Sequence, residues 1–390
     1  MATRADLLDL TTKLLAHVDA GTTDQAAATM RVASYKYHDP AHWETEMALL
    51  FRRVPLPLAL TCEMRAPNSY KAMDACGTPV LITRSADGVA RAFLNVCRHR
   101  GMVVVADGCG TARRFSCPYH AWVYNGNGAL VGVYGDATFG EFDRVERGLV
   151  QLPCEERAGV IFVTLTPAAE LPRGPRNIDD WLGSYGDVLD GLGLADWHVY
   201  ERRELPSPAW KAAFDGYVES YHFASLHTTS LFPTVMSNTM TYEPHGPHLR
   251  LGFPRQGIAE LHTIPQENWD VEDRIADVHI IFPMLSLAGG WKGQAMVSQL
   301  LPGPTPDRSR TVQTFISLDP LLTDNEKLSG TQRADFLHKV VRDEDYATGF
   351  RITSALRSGA NKEFVFGRNE IALQHVHRWV DEILTTEGEI

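Results

Sequence analysis

Near the N-terminus, apolar residues recur every three or four positions between charged residues. This spacing is that of an amphipathic helix and differs from the unbroken apolar core of a signal peptide. The apolar positions are Leu7, Leu10, Leu14 and Val18. A second helix is predicted in DPAHWETEMALLF, residues 39–51, because an Asp followed by a Pro commonly starts a helix. We therefore expect residues 1–41 to be helical and to pack on the C-terminal part of the chain.

The pattern changes between about Ala59 and Thr166, where short β-type runs alternate with turns that contain Gly, Asp or Asn. The sequence NGNG at 125–128 is the clearest hairpin signal. This region predicts a compact all-β module. The stretch PRGPRN at 172–177 indicates a surface connection, and the chain ends in a predicted helix, NEIALQHVHRWVDEIL at 369–384.

Composition and charge narrow the classes of function. The chain has 390 residues, 44% of them hydrophobic and 22% charged, which is typical of a globular protein of about two domains. A net charge of -11 provides no basic field for nucleic acid. Six cysteines are too sparse for a disulfide framework. The sequence contains no uninterrupted apolar run of about 18 residues, which a membrane span would require. The expected location is the cytoplasm.

One segment within the β-type region carries a distinctive set of ligand residues. CRHRGMVVVADGCGTARRFSCPYHAW, residues 97–122, contains a Cys-x-His pair and then a Cys-x-x-His pair. Small zinc modules usually pair like ligands, two Cys and then two His, whereas each pair here mixes a thiolate with an imidazole. A [2Fe-2S] cluster in which two histidines replace two cysteines on one iron takes one ligand of each kind from two loops. The alternation therefore favours such a cluster over zinc or four unrelated core residues.

NVCRHRG and CPYHAW resemble the two cluster-binding boxes of the Rieske non-haem iron oxygenases, the aromatic ring-hydroxylating dioxygenase family. The respiratory Rieske proteins carry an additional cysteine in each box, and this chain has Met102 and Tyr119 at those places. Cys109, between the boxes, is expected to be a buried or loop thiol and not a cluster ligand, because other residues already fill all four cluster positions. The resemblance implies four ligands of a Rieske [2Fe-2S] cluster, which are Cys97, His99, Cys117 and His120.

A second candidate site lies in WKAAFDGYVESYHFASLH, residues 210–227. If this segment is one helix, Asp215, Glu219 and His222 share a face. His227 then points about 140° away from His222, so both imidazoles reach one metal only if the helix is distorted or ends between them. Two histidines and one carboxylate on one side of an iron leave other positions open for oxygen chemistry.

This spacing resembles the catalytic box of the same family. The resemblance implies that His222 and His227 bind a mononuclear iron. It also implies that Glu219 bridges a cluster histidine of one subunit to an iron histidine of the next. Many family members have Asp where this chain has Glu219. The role of Asp215 stays open between packing on the helix face and a hydrogen bond behind the metal ligands.

A carboxylate ligand has to come from elsewhere, and the candidate segment is VVRDEDYATGFRITSAL, residues 340–356. If this segment is helical, Asp345 lies on an apolar stripe and Asp343 faces nearly the opposite way. A buried carboxylate needs a partner because its desolvation costs on the order of several kcal/mol, and iron would supply that partner. EDY also resembles the family's Glu-Asp ligand box, which selects Asp345. The alternative is a salt bridge from Asp345 to Arg342 or Arg351.

Several other polar and apolar groups carry weaker indications. His375 and His377 are interpreted as packing and surface residues of the last helix. His245 and His248 are interpreted as loop residues, and a role in substrate binding is the less favoured alternative for them. Arginines around the boxes are interpreted as surface charge, with contact to an acidic electron donor as the alternative: Arg98, Arg100, Arg113 and Arg114. An apolar wall of a substrate pocket is expected from Leu231, Phe232, Val235 and Met236.

The resemblance implies an α+β fold of three parts. Helices at 1–41 pack on the catalytic domain, an all-β Rieske domain spans 42–170, and a catalytic domain at 171–390 has an antiparallel sheet wrapped around a long helix. It further implies a homotrimer, with a small beta subunit undecided. A nucleotide-binding glycine motif and a plant-type four-cysteine pattern are both absent from the sequence, so a separate reductase, and in some systems a ferredoxin, would relay electrons from NAD(P)H.

The implied reaction is the hydroxylation, single or double, of an aromatic or alicyclic substrate by O2. One alternative keeps this chemistry and changes the substrate to a quaternary amine or betaine, which is demethylated or cleaved at a C–N bond. Glu219 resembles members of that branch. A second alternative, from another class, is a non-catalytic Rieske electron-transfer protein without the mononuclear iron.

Overall fold

Residues 4–291 and 293–388 are described by this computed structural model of the chain. The outermost positions of the predicted first and last domains, 1–3 and 389–390, lie outside the described residues. The described residues form a β-rich part followed by a large antiparallel sheet packed against helices. The predicted α+β fold is therefore confirmed.

Every strand pairing in the described part of the chain is antiparallel. The strands are β1 (Met30–Ala33), β2 (Leu56–Leu60), β3 (Ser69–Ala75), β4 (Thr78–Arg84), β5 (Ala90–Leu94), β6 (Gly108–Thr111), β7 (Arg114–Ser116), β8 (Val123–Asn125), β9 (Leu130–Gly132), β10 (Gln151–Leu152), β11 (Cys154–Arg157), β12 (Val160–Val163), β13 (His198–Ser207), β14 (Thr241–His245), β15 (His248–Pro254), β16 (Ile275–Ile281), β17 (Leu285–Trp291), β18 (Gln294–Pro302), β19 (Ser309–Ser317) and β20 (Glu363–Phe366).

The α-helices flank these strands. They are α1 (Arg4–Ala20), α2 (Pro40–Glu46), α3 (Asp136–Phe139), α4 (Ile178–Leu182), α5 (Tyr185–Leu192), α6 (Trp210–Asp215), α7 (Phe223–Leu226), α8 (Asp324–Val340), α9 (Ala347–Leu356) and α10 (Ile371–Thr385). Two wider, π-helical turns occur at Met47–Phe51 and Val341–Tyr346. The second of these joins α8 to α9 without a break, so the two helices form one long rod.

The predicted all-β module contains three sheets. Their strand orders are β10-β5-β4-β3-β6, β11-β12-β2 and β7-β8-β9. The expected NGNG hairpin joins β8 to β9, and the side chain of Asn125 accepts hydrogen bonds from the backbone of Asn127 and Ala129, each 3.0 Å long. The first cysteine-histidine box follows β5 and the second follows β7, so the two boxes extend from different sheets.

The C-terminal half is built on a seven-stranded sheet in the order β13-β19-β18-β17-β16-β15-β14. Side chains alternate along its strands, so Ala276 and Val278 face one side while Asp277 and His279 face the other. α6 packs on β18, and α8 packs on β13. This arrangement encloses a cavity between the sheet and the long rod. No helix among the described residues is both long enough and apolar enough to cross a bilayer.

The helical prediction for residues 1–41 is only partly correct. α1 and α2 form as expected, and the Asp39 side chain caps α2 by accepting a hydrogen bond of 2.8 Å from the backbone of His42. However, residues 30–33 form β1, which pairs with β20 from the far end of the sequence. Local periodicity could not reveal this strand, because its partner is more than 300 residues away.

The prediction of one helix over residues 210–227 is wrong in its middle. α6 ends at Asp215, residues 216–222 form turns, and α7 is a single helical turn at 223–226. Asp215, Glu219 and His222 therefore do not share a helical face. A distorted or interrupted helix was the condition under which His222 and His227 could reach one metal, and the break in the helix meets that condition.

A buried ion pair joins two neighbouring strands on the side of the sheet that faces away from the long rod. The guanidinium of Arg250 on β15 donates to both oxygens of Asp277 on β16, at 3.1 and 3.0 Å. Burial by itself raises the pKa of Asp277, but His279 and Arg250 outweigh burial and hold that pKa well below its ordinary value. The folded state is thereby stabilised at neutral pH, and this stabilisation is lost as the pH falls from the ordinary Asp pKa towards the folded one.

Replacing Asp277 with Asn should lower the free energy of unfolding by about 3 kcal/mol at pH 7, because the buried Arg250 loses its bidentate partner and is left with a longer contact of 3.9 Å to Glu243. Urea unfolding at pH 7 measures this loss. The matched control is Asp9→Asn in the exposed Lys13–Asp9 pair, which should change stability by less than about 1 kcal/mol. Equal effects of the two substitutions would contradict a special role for the buried pair.

Candidate metal centres

The two cysteine-histidine boxes fold into the same kind of turn. In the first, the amide of Cys97 donates to the carbonyl of Met102, and the amide of Gly101 donates back to Cys97. In the second, Cys117 donates to Trp122, and Ala121 donates back to Cys117. Gly101 and Ala121 both have positive φ, of 81° and 52°, which such a tight return requires. Each box therefore presents one thiol and one imidazole from an equivalent loop.

The side chains of the two boxes lie beside each other in pairs, thiol with thiol and imidazole with imidazole. Both thiols are buried, and the imidazole rings of His99 and His120 lie 4.6 Å apart between centroids. Trp122 stacks on His99 at 4.9 Å, and this contact fixes the orientation of the ring. The Tyr124 hydroxyl lies 3.4 Å from the sulfur of Cys97 and accepts a hydrogen bond from the backbone of Arg98.

The chemistry of this group fits a mixed-ligand iron-sulfur cluster. The Nδ1 atom of His99 is buried and has no hydrogen-bond partner among the described residues, so its lone pair lacks a donor or, in the other tautomer, its proton lacks an acceptor. Burial raises the pKa of the Cys97 thiol, and the adjacent Cys117 thiol raises it further, although Tyr124 opposes this. Iron would stabilise both thiolates and would use the free imidazole nitrogen. Ligation by these four residues remains a prediction.

A second group of ligand atoms lies at the cavity between the sheet and the rod. His222 Nε2 and His227 Nε2 are 3.1 Å apart, and Oδ1 of Asp345 lies 3.5 Å from the first and 3.1 Å from the second. One ligand atom from each residue lies within 4.8 Å of the other two. The structure thus brings together the two histidines and the carboxylate singled out from the sequence, in the donor set that suits a non-haem iron.

Two irregular pieces of backbone produce this convergence. His222 immediately precedes the single turn of α7 and His227 immediately follows it, so both rings turn to the same side. Asp345 lies in the π-helical segment Val341–Tyr346, where the wider turn changes the direction of the side chains. Asp343, by contrast, is exposed and bonds to Arg342, so the alternative salt bridge of Asp345 to Arg342 does not form.

Each imidazole is held by a carboxylate on the side away from the other imidazole. Glu219 Oε1 accepts a hydrogen bond from Nδ1 of His222, and Glu344 Oε2 accepts one of 2.7 Å from Nδ1 of His227. The Ser230 hydroxyl also donates to Glu344 across 2.7 Å. These bonds leave the two Nε2 atoms directed at Asp345 and available to a metal.

The sequence analysis missed Glu344. It stands directly before Asp345 in the EDY stretch, so neighbouring residues of one motif supply a candidate ligand and a candidate positioning group. In a regular helix, adjacent side chains point about 100° apart and would not be expected to serve one site. The π-helical segment Val341–Tyr346 allows both to do so, and the acidic pair in EDY was the only sequence signal for it.

The hydrogen bonds within this group shift the pKa values of His222 and Asp345. Burial lowers the pKa of His222, but hydrogen bonds with Asp345 and Glu219 outweigh burial and raise that pKa to about 9. Burial raises the pKa of the Asp345 carboxyl, but its contacts with the two imidazoles hold the pKa below its ordinary value. The site therefore concentrates negative charge that needs a cation, and a divalent metal would replace the protons.

Asp215 makes its hydrogen bonds elsewhere. Its carboxylate accepts from the Tyr37 hydroxyl at 2.6 Å and lies 3.0 Å from Nε2 of His377. These contacts join the N-terminal region to α10 instead of supporting either candidate iron histidine. His377, interpreted from the sequence as a packing or surface residue, is buried in this network, and His375 is buried beside Tyr242. The surface interpretation of these two histidines is therefore wrong.

The cavity beside His222, His227 and Asp345 has a volume of about 120 Å³. Its wall is mostly aliphatic, with the larger side chains Leu231, Val235, Val278, Met296, Leu337 and Val340. Two uncharged polar residues, Tyr217 and Ser286, line it, and the described lining includes neither lysine nor arginine. Leu231 and Val235 belong to the predicted apolar wall, whereas Phe232 and Met236 do not line the cavity.

The remaining candidates lie away from both centres. His245 and His248 belong to the β14–β15 hairpin, where the ring of His248 stacks on Tyr185, and neither lines the cavity. Cys109 lies on β6 and is exposed, so the expectation of a buried or loop thiol is wrong; its sulfur accepts a hydrogen bond of 3.1 Å from Arg202.

Models of two domain families match the chain. The Rieske [2Fe-2S] domain matches residues 55–142, and the catalytic domain of the ring hydroxylating alpha subunit matches residues 194–386. Together the two matches cover well over half of the chain. The first includes both cysteine-histidine boxes, and the second includes His222, His227 and Asp345.

Individual proteins show the same relationship. The glycine betaine monooxygenase oxygenase subunit of Chromohalobacter salexigens is 29% identical over 209 residues, 53% of this chain and 44% of that protein. The anthranilate 1,2-dioxygenase large subunit of Acinetobacter baylyi is 28% identical over 204 residues, 50% of this chain and 42% of that protein. The matches thus span less than half the length of these curated relatives.

A solved structure shares the fold along nearly the whole chain. The quaternary ammonium Rieske monooxygenase CntA, in complex with L-carnitine, superposes with a TM-score of 0.75 over 96% of this chain and 98% of that chain, at 20% identity. The Rieske domain model and the catalytic domain model match one after the other along the chain, and each match contains one of the two groups of candidate ligand residues. This chain therefore belongs to the Rieske non-haem iron oxygenase alpha subunits.

Proposed function

We propose that the protein is the terminal oxygenase of a multicomponent system and hydroxylates an uncharged, mainly apolar organic molecule about the size of a single ring. The cavity that meets His222, His227 and Asp345 is the observation that carries this proposal. An engineered apolar cavity of about 150 Å³ binds benzene, so about 120 Å³ suits a single aromatic or alicyclic ring.

The charge of the cavity wall separates this substrate class from betaines. A betaine brings a carboxylate, and a buried carboxylate requires a cation or several hydrogen-bond donors. The described lining offers no lysine or arginine, and its carboxylates, Glu219 and Asp345, would repel the ligand's own. An uncharged ring, in contrast, loses nothing on leaving water for the aliphatic wall.

The chain's own residues have separate tasks in this proposal. When bound, the cluster would supply single electrons and the mononuclear iron would activate O2. Asp345 and the two histidines would hold the metal, while Glu219 and Glu344 keep both Nδ1 protons in place. The aliphatic wall excludes water and confines the substrate ring beside the metal.

A second candidate substrate is a quaternary amine. Glycine betaine and carnitine oxygenases are among the relatives, and the cavity also has three ring faces, from Tyr217, Phe223 and Phe253, beside two acidic residues. Such surfaces attract a fixed cation. The names of several relatives favour the quaternary amine. The described lining favours the uncharged ring, because it contains no lysine or arginine that could pair with the carboxylate of a betaine.

Partners and assembly belong to the same proposal. A separate reductase, with or without a ferredoxin, would deliver electrons from NAD(P)H. A homotrimer would place Glu219 of one subunit beside the cluster of the next, as the family resemblance implies. We place the protein in the cytoplasm because none of its six cysteines forms a disulfide, which is typical of a reducing compartment.

The substrate is tested with the holoenzyme, NADH and an added oxygenase reductase. Toluene, cyclohexanol, anthranilate, glycine betaine and carnitine are supplied separately, and products are quantified by mass spectrometry. We expect kcat/KM for the uncharged rings to exceed that for the charged compounds at least about tenfold, because burial of an unpaired charge costs more than 1.4 kcal/mol. A reaction without reductase should give no product. A preference for glycine betaine or carnitine would select the second candidate.

A further inference from the structure

Ser286 places one hydroxyl group in the mostly apolar wall of the cavity. It lies on β17, two residues from Ala288, and both residues line the cavity because alternate side chains of a strand share one side. On β16, Val278 pairs with Ala288 and completes this face of the sheet. The serine side chain is therefore directed at the space where a substrate would lie.

The hydroxyl of Ser286 has no hydrogen-bond partner among the residues that the structure describes, although the residue is only 1% exposed. A buried hydroxyl without a partner is uncommon because it has lost its bonds to water and gained nothing in return. Such a group is expected where a ligand supplies the missing bond. Ser286 thus indicates a polar contact point inside the cavity.

The other uncharged polar residue of the wall is already engaged. The Tyr217 hydroxyl lies 3.2 Å from the Tyr346 hydroxyl, which in turn lies 2.6 Å from the hydroxyl of Thr311. These hydroxyls satisfy one another within the protein. Ser286 is therefore the uncharged group of the described lining that has unused hydrogen-bonding capacity.

We infer that the substrate carries one uncharged hydrogen-bonding group, a hydroxyl or a carbonyl oxygen, that binds Ser286 while its ring fills the aliphatic part of the cavity. This inference rests on the proposed function and narrows its substrate class to small cyclic alcohols, phenols and ketones. Ser286 is then a specificity-determining residue. It fixes which edge of the ring faces His222, His227 and Asp345, and so which carbon is hydroxylated.

The test uses two probes of similar shape, benzyl alcohol and ethylbenzene, which differ in the hydroxyl group. Their binding to the holoenzyme is measured by calorimetry for the wild type and for Ser286→Ala. We expect the substitution to weaken benzyl alcohol about tenfold and to leave ethylbenzene unchanged, since a lost hydrogen bond has about that effect. The variant should fold normally because the hydroxyl that it removes has no partner among the described residues.

Ser298→Ala is the matched control. Ser298 lies directly opposite Ser286 in the strand register and is equally buried, but it does not line the cavity. This control should leave the affinities of both probes unchanged. In Ser286→Thr, which keeps the hydroxyl, the preference for benzyl alcohol over ethylbenzene should persist.

The outcomes separate the inference from the function on which it rests. If Ser286→Ala weakens both probes equally or weakens neither, the inference is overturned, because the hydroxyl then contacts only water, while the uncharged-ring function stands. If the wild type binds neither probe but binds glycine betaine, the proposed function fails and the inference fails with it.

Discussion

Replacing Asp345 with Ala is expected to remove the mononuclear iron and to reduce turnover to background. Oδ1 of this residue lies within 3.5 Å of both Nε2 atoms of the histidine pair, so the substitution removes the carboxylate from the three-residue set. Two neutral imidazoles without a carboxylate hold a divalent iron poorly. Metal analysis should fall from about three to about two irons per chain, while the visible spectrum of the cluster is unchanged.

Asp343→Ala supplies the control for this experiment. Asp343 is two residues away in the same π-helical segment, but it is exposed and pairs with Arg342. The control should keep all of its iron and activity. If Asp345→Ala retains the third iron, another carboxylate is the ligand. If the wild type itself binds only about two irons per chain, the protein is an electron carrier and not an oxygenase.

The second large effect is expected from the two glutamates behind the histidines. Glu219→Gln and Glu344→Gln remove equivalent charges, since each residue accepts a hydrogen bond from one Nδ1 atom. Loss of such a supporting carboxylate typically costs about 10- to 100-fold in metal affinity or activity. We expect Glu344→Gln to fall in this range and to recover when excess Fe(II) is added, because Glu344 acts only by positioning His227.

Glu219→Gln is expected to lose more than about 100-fold, and added Fe(II) should not restore the activity. The reason is the additional role that the family resemblance implies, a contact that carries electrons from the cluster of a neighbouring subunit. The readouts are iron content, Fe(II) dependence of turnover, and the rate at which a chemically reduced cluster is reoxidised with substrate and O2 present. Recovery by added iron in both variants would reduce Glu219 to a positioning residue like Glu344.

Relatives of similar identity to this chain differ in substrate. The glycine betaine monooxygenase subunit and the anthranilate 1,2-dioxygenase subunit are 29% and 28% identical to it, each over about half of its length. Identity at this level therefore does not select a substrate class. In the proposed function, specificity depends on a few wall residues, such as Val278, Ser286 and Met296, which are not among the candidate metal ligands.

Predictions from local sequence succeeded where the determining interactions are local. Asp39 starts α2, Asn125 closes the NGNG hairpin, and the spacing of α10 gives a helix. Each depends on contacts within a few residues. The prediction of one helix over residues 210–227 failed because helical periodicity was extended through Gly216, although the chain turns there and positions His222 and His227 at the two ends of a single turn.

The sequence by itself determined two groups of candidate metal-ligand residues, because the thiols and imidazoles stand at short spacings that are recognisable without any long-range contact. Asp345 lies far from the histidine pair in the sequence, and its apolar stripe and the resemblance of EDY to a ligand box added it to the second group. Only the tertiary structure decided how the groups are completed. Residues far apart in sequence meet there: β1 with β20, Asp215 with Tyr37 and His377, and Glu344 with His227. The unpartnered hydroxyl of Ser286 became visible in the same way, since burial and the lack of a partner are properties of the folded chain, which a linear pattern does not contain.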